Sequence, residues 1–348
     1  MRVPSNSNCG TPIAAELREA PDVVRRQAEM LVHPLGELVS YLKNTRPRVV
    51  LTCARGSSAN AATFGKYLIE RHLGIPVAAV APSIMSVYRK GLRLEHQLFL
   101  AISQSGRSED LVESAACAKN SGAVTIALVN DTESPLASTC DIILPMAAGP
   151  ELNVAATKTF VASLAALLDL TAVWADEHEI RAAVDRLPDR LALAAELDWT
   201  DAVGALSPAE SLITLGRGPT LAIAQEASLK LKEVCNIHAE AFSGAEFQHG
   251  PIALVSKGYP VLIFMPADAS ASNLAELAVD LGRKGASVLM TSSNSRIDGR
   301  LPALAPDHPD TDAVCLIQSF YTLAIHLAQH RGINIDQPRH LRKITRTR

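Results

Sequence analysis

An excess of positive charge is missing from this sequence, and with it any general attraction to nucleic acid or to an anionic membrane surface. Lysines and arginines number 33 against 36 acidic residues, a formal net charge of −3. An anionic substrate would therefore have to be held by local geometry. Paired cysteines are missing too. The six cysteines stand at positions 9, 53, 117, 140, 235 and 315; none forms a C-x-x-C pair, and no His/Cys cluster has the spacing of a zinc site. Scattered thiols, several in apolar runs, fit the reduced core cysteines of a cytoplasmic protein. The opening residues, Met1-Arg-Val-Pro-Ser-Asn-Ser, lack the apolar stretch of a secretory signal. The most apolar run, Val161 to Trp174, is interrupted by Asp169 and falls short of the about 20 residues that cross a bilayer. It predicts a buried helix.

What is present is a large apolar fraction and a duplication. The 348 residues are 48% hydrophobic and 20% charged, enough for about two domains with substantial cores. The run Arg48-Val-Val-Leu-Thr-Cys-Ala-Arg-Gly-Ser-Ser leads into a helical pattern, and so does Ser211-Leu-Ile-Thr-Leu-Gly-Arg-Gly-Pro-Thr, with Gly56 and Gly218 in equivalent places 162 residues apart. At that offset Ile75-Pro-Val falls on Ile237-His-Ala, and Leu98–Ile102 falls on Pro260–Phe264. Further on, Ser121-Gly-Ala-Val-Thr-Ile-Ala-Leu matches Lys284-Gly-Ala-Ser-Val-Leu-Met-Thr at an offset of 163, which one extra loop residue would explain. Short apolar runs alternating with longer helical patterns predict parallel strands covered on both faces. The expected fold class is α/β: two tandem, doubly wound, three-layer αβα domains with right-handed crossovers. Expected limits are a helical lead-in over residues 1–40, domains over 41–180 and 201–338 joined by a helical connector over 181–200, and an irregular basic tail over 339–348.

Four segments carry polar groups suited to chemistry. Ile102-Ser103-Gln104-Ser105-Gly106-Arg107-Ser108-Glu109-Asp110 follows an apolar strand, where open α/β sheets bind ligands. Hydroxyls, an amide and a helix start form a phosphate cradle that needs few cations; an ordinary helix cap is the plainer alternative. Ala54-Arg55-Gly56-Ser57-Ser58 is a second such turn, with neither the G-x-G-x-x-G spacing nor a following G-K-[ST]. On the helical pattern Ala222–Cys235, Ile223, Ala227, Leu231 and Val234 share one face, while Glu226, Lys230 and Glu233 share another, which is either solvated or functional. The next segment gathers His238, Glu240, Glu246 and His249, groups able to shuttle protons on a sugar. Finally, Asp336-Gln-Pro-Arg-His-Leu-Arg-Lys343 is either a frayed terminus or a lid that brings Lys343 over an anionic substrate. Because Met265-Pro-Ala-Asp-Ala-Ser-Ala replaces the Ser-Gln-Ser loop in the second half, one sugar site per chain is expected.

Leu215-Gly-Arg-Gly, Ala227-Ser-Leu-Lys-Leu-Lys-Glu, Ile237-His-Ala-Glu-Ala, His249-Gly-Pro-Ile-Ala-Leu and the Asp336–Lys343 segment together resemble the SIS (sugar isomerase) superfamily. Over nearly the whole chain, the sequence is similar to the isomerase part of the glutamine–fructose-6-phosphate aminotransferases. The resemblance implies two SIS domains of flavodoxin-like fold and a sugar phosphate held by Gly56, Ser57, Ser58, Ser103, Gln104, Ser105 and Ser108. Val154 would lie beside the sugar; Ala156 stands where the family usually has a serine, so that contact is not carried over. It also implies Glu233 as the base at C1/C2, His249 as a ring-opening group supplied across a homodimer interface, and Lys343 as a lysine at C2 able to form a Schiff base. No metal or other cofactor is implied. The aminotransferases carry a glutaminase domain with an N-terminal cysteine, whereas here Cys9 lies in a polar leader. The expectation is therefore a cytoplasmic enzyme resembling the stand-alone SIS-type glucosamine-6-phosphate deaminases. The alternatives are another phosphosugar isomerase or deglycase, ammonia-dependent synthesis of glucosamine 6-phosphate, and a non-catalytic sugar-phosphate sensor. Nucleic acid and membrane are not expected partners.

Overall fold

The computed structural model describes residues 11–294 and 299–343; Cys9, the start of the expected lead-in and the last five residues of the expected tail lie outside them. Ten strands are described: β1 (Val50–Ala54), β2 (Val77–Ala79), β3 (Leu98–Ser103), β4 (Val124–Val129), β5 (Ile142–Pro145), β6 (Ser211–Gly216), β7 (His238–Ser243), β8 (Pro260–Ile263), β9 (Ser287–Ser292) and β10 (Arg300–Pro302). They form two five-stranded sheets of matching order, β2-β1-β3-β4-β5 and β7-β6-β8-β9-β10. Every neighbouring pair is parallel. This is the doubly wound order of flavodoxin-like folds, and the duplication read from the sequence is a duplication of architecture. The change of offset is located by the helix after each β3-type strand. That helix is Glu109–Asn120 in the first half, 12 residues, and Ala271–Arg283 in the second, 13 residues. The extra residue thus belongs to a helix, not to a loop as expected.

Alternation along each strand divides the interior into three cores. Leu98, Leu100 and Ile102 of β3 and Leu212 and Leu262 of the second sheet face one central core, which also takes the helices Ala20–Thr45, Lys158–Ala175, His178–Ala195 and Pro309–His330. Phe99 and Ala101 face the opposite way, against Leu111, Ala115 and Ala118 of the helix Glu109–Asn120. Ile213, Leu215, Val261 and Ile263 do the same in the second half, against Leu274, Leu277 and Leu281. Strands covered on both faces have no solvent side, which is why they read as continuous apolar runs.

The expected buried helix is Lys158–Ala175, and it is apolar nearly all round because it has neighbours nearly all round. At 18 residues it is longer than the run read from the sequence. It and Pro309–His330 are long and apolar enough to cross a membrane, yet 83% of each such stretch is buried inside the fold. The lead-in helix extends past residue 40 to Thr45, where Arg46 adopts a left-handed conformation that ends it. Cys53, Cys140, Cys235 and Cys315 are buried free thiols, and burial pushes each up to about 12. They are protonated packing groups at neutral pH.

The halves meet where the helices Gly56–Leu73 and Thr220–Cys235 pack together. A second tie lies nearby. Asp310, fully buried in the first turn of Pro309–His330, accepts from Arg71 at 2.5 Å and bonds His72 Nε2 at 2.9 Å. Burial pushes the Asp310 carboxyl up, but His72 and Arg71 outweigh it and hold it below the ordinary value. Its stabilising contribution is therefore present above the unfolded pKa of about 3.9 and lost as pH falls through the lower folded value. Asp310→Asn is expected to cost about 3 kcal/mol at pH 7, read from urea unfolding. The deficit should shrink below about pH 4, where the wild-type carboxyl also protonates.

Candidate functional site

β1 and β3 are neighbours in register, with Ala54 beside Ile102, so the turns that follow them emerge side by side from the carboxyl edge of the first sheet. This is the point where the strand order reverses, the place where such sheets take ligands. Arg55 braces the two turns by donating through Nε and Nη2 to Asp110 Oδ2, at 3.1 and 2.8 Å. In the second turn the hydroxyls hold the loop itself. Ser103 Oγ accepts from Gly106 N, Ser105 Oγ accepts from Arg107 N, and Ser108 caps the helix Glu109–Asn120 without a side-chain capping bond. Gln104, Ser105 and Ser108 remain partly exposed. Gly106 is required twice over: its φ is +62°, and a Cβ there would lie 2.0 Å from Ser134 Oγ.

Beside these turns stands the helix Thr220–Cys235. Ile223, Ala227, Leu231 and Val234 are buried, as the helical spacing predicts. The face bearing Glu226, Lys230 and Glu233 is not a solvated one: Glu226 and Lys230 are also buried, and only Glu233 is partly exposed. Glu226 accepts from Ser57 Oγ at 2.9 Å, from Asn60 Nδ2 at 2.8 Å and from the Tyr321 hydroxyl at 3.3 Å. Lys230 Nζ lies 3.4 Å from Glu226 and forms a short ion pair with Glu233. Burial works against the Lys230 ammonium, but Glu226 and Glu233 prevail and raise its pKa above the ordinary lysine value. Burial and then Glu226 raise the Tyr321 phenol well above its ordinary range, so it serves as a neutral donor. Ser57, expected as a phosphate ligand, thus spends its hydroxyl on Glu226.

The tail completes the cluster. Lys343 Nζ donates to Glu151 Oε2 at 2.9 Å and to the carbonyl oxygen of Asn153, next to Val154. Glu151 is buried and also accepts from Thr157 N, Thr159 N and Thr159 Oγ1. Its charge also helps to raise the pKa of Lys230 and of Tyr321, an electrostatic link between the Lys343 partner and the row on Thr220–Cys235. Among the described residues, no side-chain hydrogen bond or ion pair joins His238, Glu240, Glu246 and His249 to one another, although His249 N donates to the Glu246 carbonyl oxygen at 3.0 Å. His238 and Glu240 project from an edge strand, and all four residues are exposed. The period-2 alternation of β7 puts the polar groups on the open side while Ala239 takes the core side. His249 follows the short helix Gly244–Phe247, and no side-chain bond among the described residues joins its ring to Glu233 or Lys343.

Glu151, Asn60 and Tyr321 were not singled out from the sequence. Glu151 had a signal, a lone acid ahead of Thr157-Lys158-Thr159. Tyr321 had none, since it lies in the apolar run Phe320–Ile325 of a helix that reads as core. Lys230→Met would leave Glu226 and Glu233 without their shared cation, at an expected cost of about 3–5 kcal/mol in urea unfolding. The double variant Lys230→Met/Glu226→Gln should lose clearly less than the sum of its single variants, because the buried charges vanish together.

The SIS domain family model matches residues 44–173 and 205–316, one stretch in each half. The glutamine–fructose-6-phosphate aminotransferase [isomerizing] of Zymomonas mobilis is 31% identical over 94% of this chain, and the match takes in 57% of that protein. The chain thus spans little more than half the length of that curated relative. A Silicibacter pomeroyi protein provisionally named a phosphosugar isomerase has a structure similar to this one with a TM-score of 0.88 and 42% identity, covering 94% of this chain and all of that one. The C-terminal domain of glucosamine-fructose-6-phosphate aminotransferase from Francisella tularensis superimposes with a TM-score of 0.85 at 28% identity, covering 96% of this chain and all of that one. With most of both sheets inside the two matched stretches, the chain belongs to the SIS domain family and carries two SIS units in tandem.

Proposed function

We propose that the protein moves a proton between C1 and C2 of a 6-phosphorylated sugar, and that its reaction is the deamination of glucosamine 6-phosphate to fructose 6-phosphate and ammonia. The observation that carries this reading is the row Glu226–Lys230–Glu233 beside the hydroxyl-rich turns of β1 and β3. A phosphate is held by neutral donors at Ser58 and Ser103–Ser108, so the one partly open carboxylate is left for proton transfer. The relatives named above act, by their names, on fructose 6-phosphate with transfer of an amino group, which favours an amino sugar.

In this scheme the sugar ring is opened by His249 of the partner subunit, since within one chain that imidazole is exposed and stands apart from the cluster. The active unit is then a homodimer. Glu233 takes the proton from C2 and returns it to C1, so the aldehyde becomes an alcohol and the C2 amine becomes a ketimine. Lys230 holds the Glu233 carboxylate in an ion pair, and Glu226 and Glu233 together keep Lys230 charged. Water adds to C2 and ammonia leaves, with one water consumed per ammonia released. Lys343 places the C2 carbon or holds it as a Schiff base. A plain aldose–ketose isomerase would use the same Glu233 step on a sugar without the amine, and the provisional name of the Silicibacter protein favours that second reading. A sensor would need neither Glu233 nor Lys343. The proposed compartment is the cytoplasm, with neither nucleic acid nor membrane as a partner.

Purified protein given glucosamine 6-phosphate without glutamine is expected to release ammonia and fructose 6-phosphate in equal amounts. Glu233→Gln should bind the sugar phosphate yet lose about 10²–10⁴-fold in turnover; retained turnover removes Glu233 from this role. Ketose formation from a 6-phosphorylated aldose without ammonia would select the isomerase reading. Borohydride added with fructose 6-phosphate should attach the sugar to Lys343, located by peptide mass, and Lys343→Met should abolish the adduct.

A further inference from the structure

The duplication leaves a second opening at the carboxyl edge of the second sheet. β6 and β8 are neighbours there, as β1 and β3 are in the first half. At the 162-residue offset Arg217, Gly218 and Ser270 stand where Arg55, Gly56 and Ser108 stand, and Arg71 stands where Glu233 stands. The structure keeps these equivalences. Gly218 has φ +57° against +53° for Gly56. Ser270 precedes the helix Ala271–Arg283 as Ser108 precedes Glu109–Asn120. A cavity of about 550 Å³ opens at this place, lined by Tyr67, Arg71, Arg217, Gly218, Asp268 and Ser270 among others.

The chemistry of this opening has been rewritten. Arg55 is paired with the buried Asp110, but the residue equivalent to Asp110 is Ser272, and Arg217 has no ion pair among the described residues. Its charge acts on the Tyr67 phenol across the cavity. Ser57 and Ser105 are replaced by Pro219 and Ala267, so two hydroxyls of the cradle are lost while Ser270 remains, and the guanidinium that Asp110 ties down in the first half lines the cavity here. Where the first half has the carboxylate Glu233, this opening has Arg71, held by Asp310. Without a base at that position the opening cannot repeat the proton transfer. Asp268 has its Oδ1 occupied by Ser270 N and Oγ, while its Oδ2 lies on the Gly218 side, where a would-be Cβ of Gly218 comes within 3.7 Å.

We propose that this opening is a second, non-catalytic binding site for a small phosphorylated polyhydroxy compound, with Arg217 on the phosphate and Asp268 accepting from hydroxyls. A guanidinium suits a phosphate because its planar fork donates to two oxygens at once. The site is independent of the reaction proposed above, since it shares no ligand residue with it.

Equilibrium dialysis of the full chain with labelled fructose 6-phosphate tests this. Wild type is expected to hold two equivalents per chain and Arg217→Glu one, with the affinity of the lost class down about 10–100-fold. Arg217→Lys should retain the second class with weakened affinity, and an unchanged circular dichroism spectrum would exclude misfolding. Arg217→Glu should leave turnover at the first site unchanged. A single wild-type equivalent that Ser105→Ala weakens and Arg217→Glu leaves intact would overturn the proposal. A single equivalent lost in Arg217→Glu but kept in Ser105→Ala would sustain it and count against the first-half site instead.

Discussion

One buried carboxylate, Glu226, sets the terms for the rest of the molecule. A charge with no exposed surface persists only if every side of it is answered by a donor or a cation. Ser57 and Asn60 answer from the first half, Lys230 from its own helix and Tyr321 from the helix Pro309–His330. Since those groups come from both repeats, satisfying Glu226 fixes how the two sheets sit against each other. Lys230, held charged by this arrangement, faces Glu233, the one carboxylate of the row with access to solvent. The same bonds that dock the halves therefore leave one partly open carboxylate beside the hydroxyl-rich turns that follow β1 and β3.

Two similar halves have produced one asymmetric site. Both sheets end in a glycine turn and a serine-capped helix at the strand reversal. Besides the turn residues, what differs is the residue presented by the other half's helix. The second half offers Glu233 to the first sheet's edge, and the first half offers Arg71 to the second sheet's edge. Because the two helices cross at the centre, each half finishes the other's opening. At repeat-equivalent positions one opening thus carries a carboxylate and the other a guanidinium.

The tail adds a further constraint. Lys343 is the last residue described, and its ammonium is placed by Glu151, itself fixed by the backbone N–H groups of Thr157 and Thr159 at the start of the central helix. The most buried helix of the protein thus positions a group at the end of the chain. A segment that reads either as a frayed basic terminus or as a lid has its Lys343 ammonium on a buried carboxylate.

The strands, their parallel order and the duplication were legible in the sequence, because strands buried on both faces are apolar without interruption and a repeat shows at a constant offset. The serine-rich loop after β3 was legible as a polar turn at the strand's carboxyl end, which fits a helix cap as well as a phosphate cradle. The single extra residue was placed wrongly, since an offset between matched runs does not say whether a loop or a helix absorbed it. The state of the Glu226–Lys230–Glu233 face could not be read either: an i, i+4, i+7 row of charges has the same spacing in water as against a second domain. His249 shows the reverse case: grouped with acids along the chain, it stands exposed after the short helix Gly244–Phe247, and no side-chain bond among the described residues joins its ring to them. Local pattern determined which elements form and which face of each is apolar. Only the docking of the two halves decided which polar face is dry, because burial of a charge depends on partners that lie more than 150 residues away in the chain.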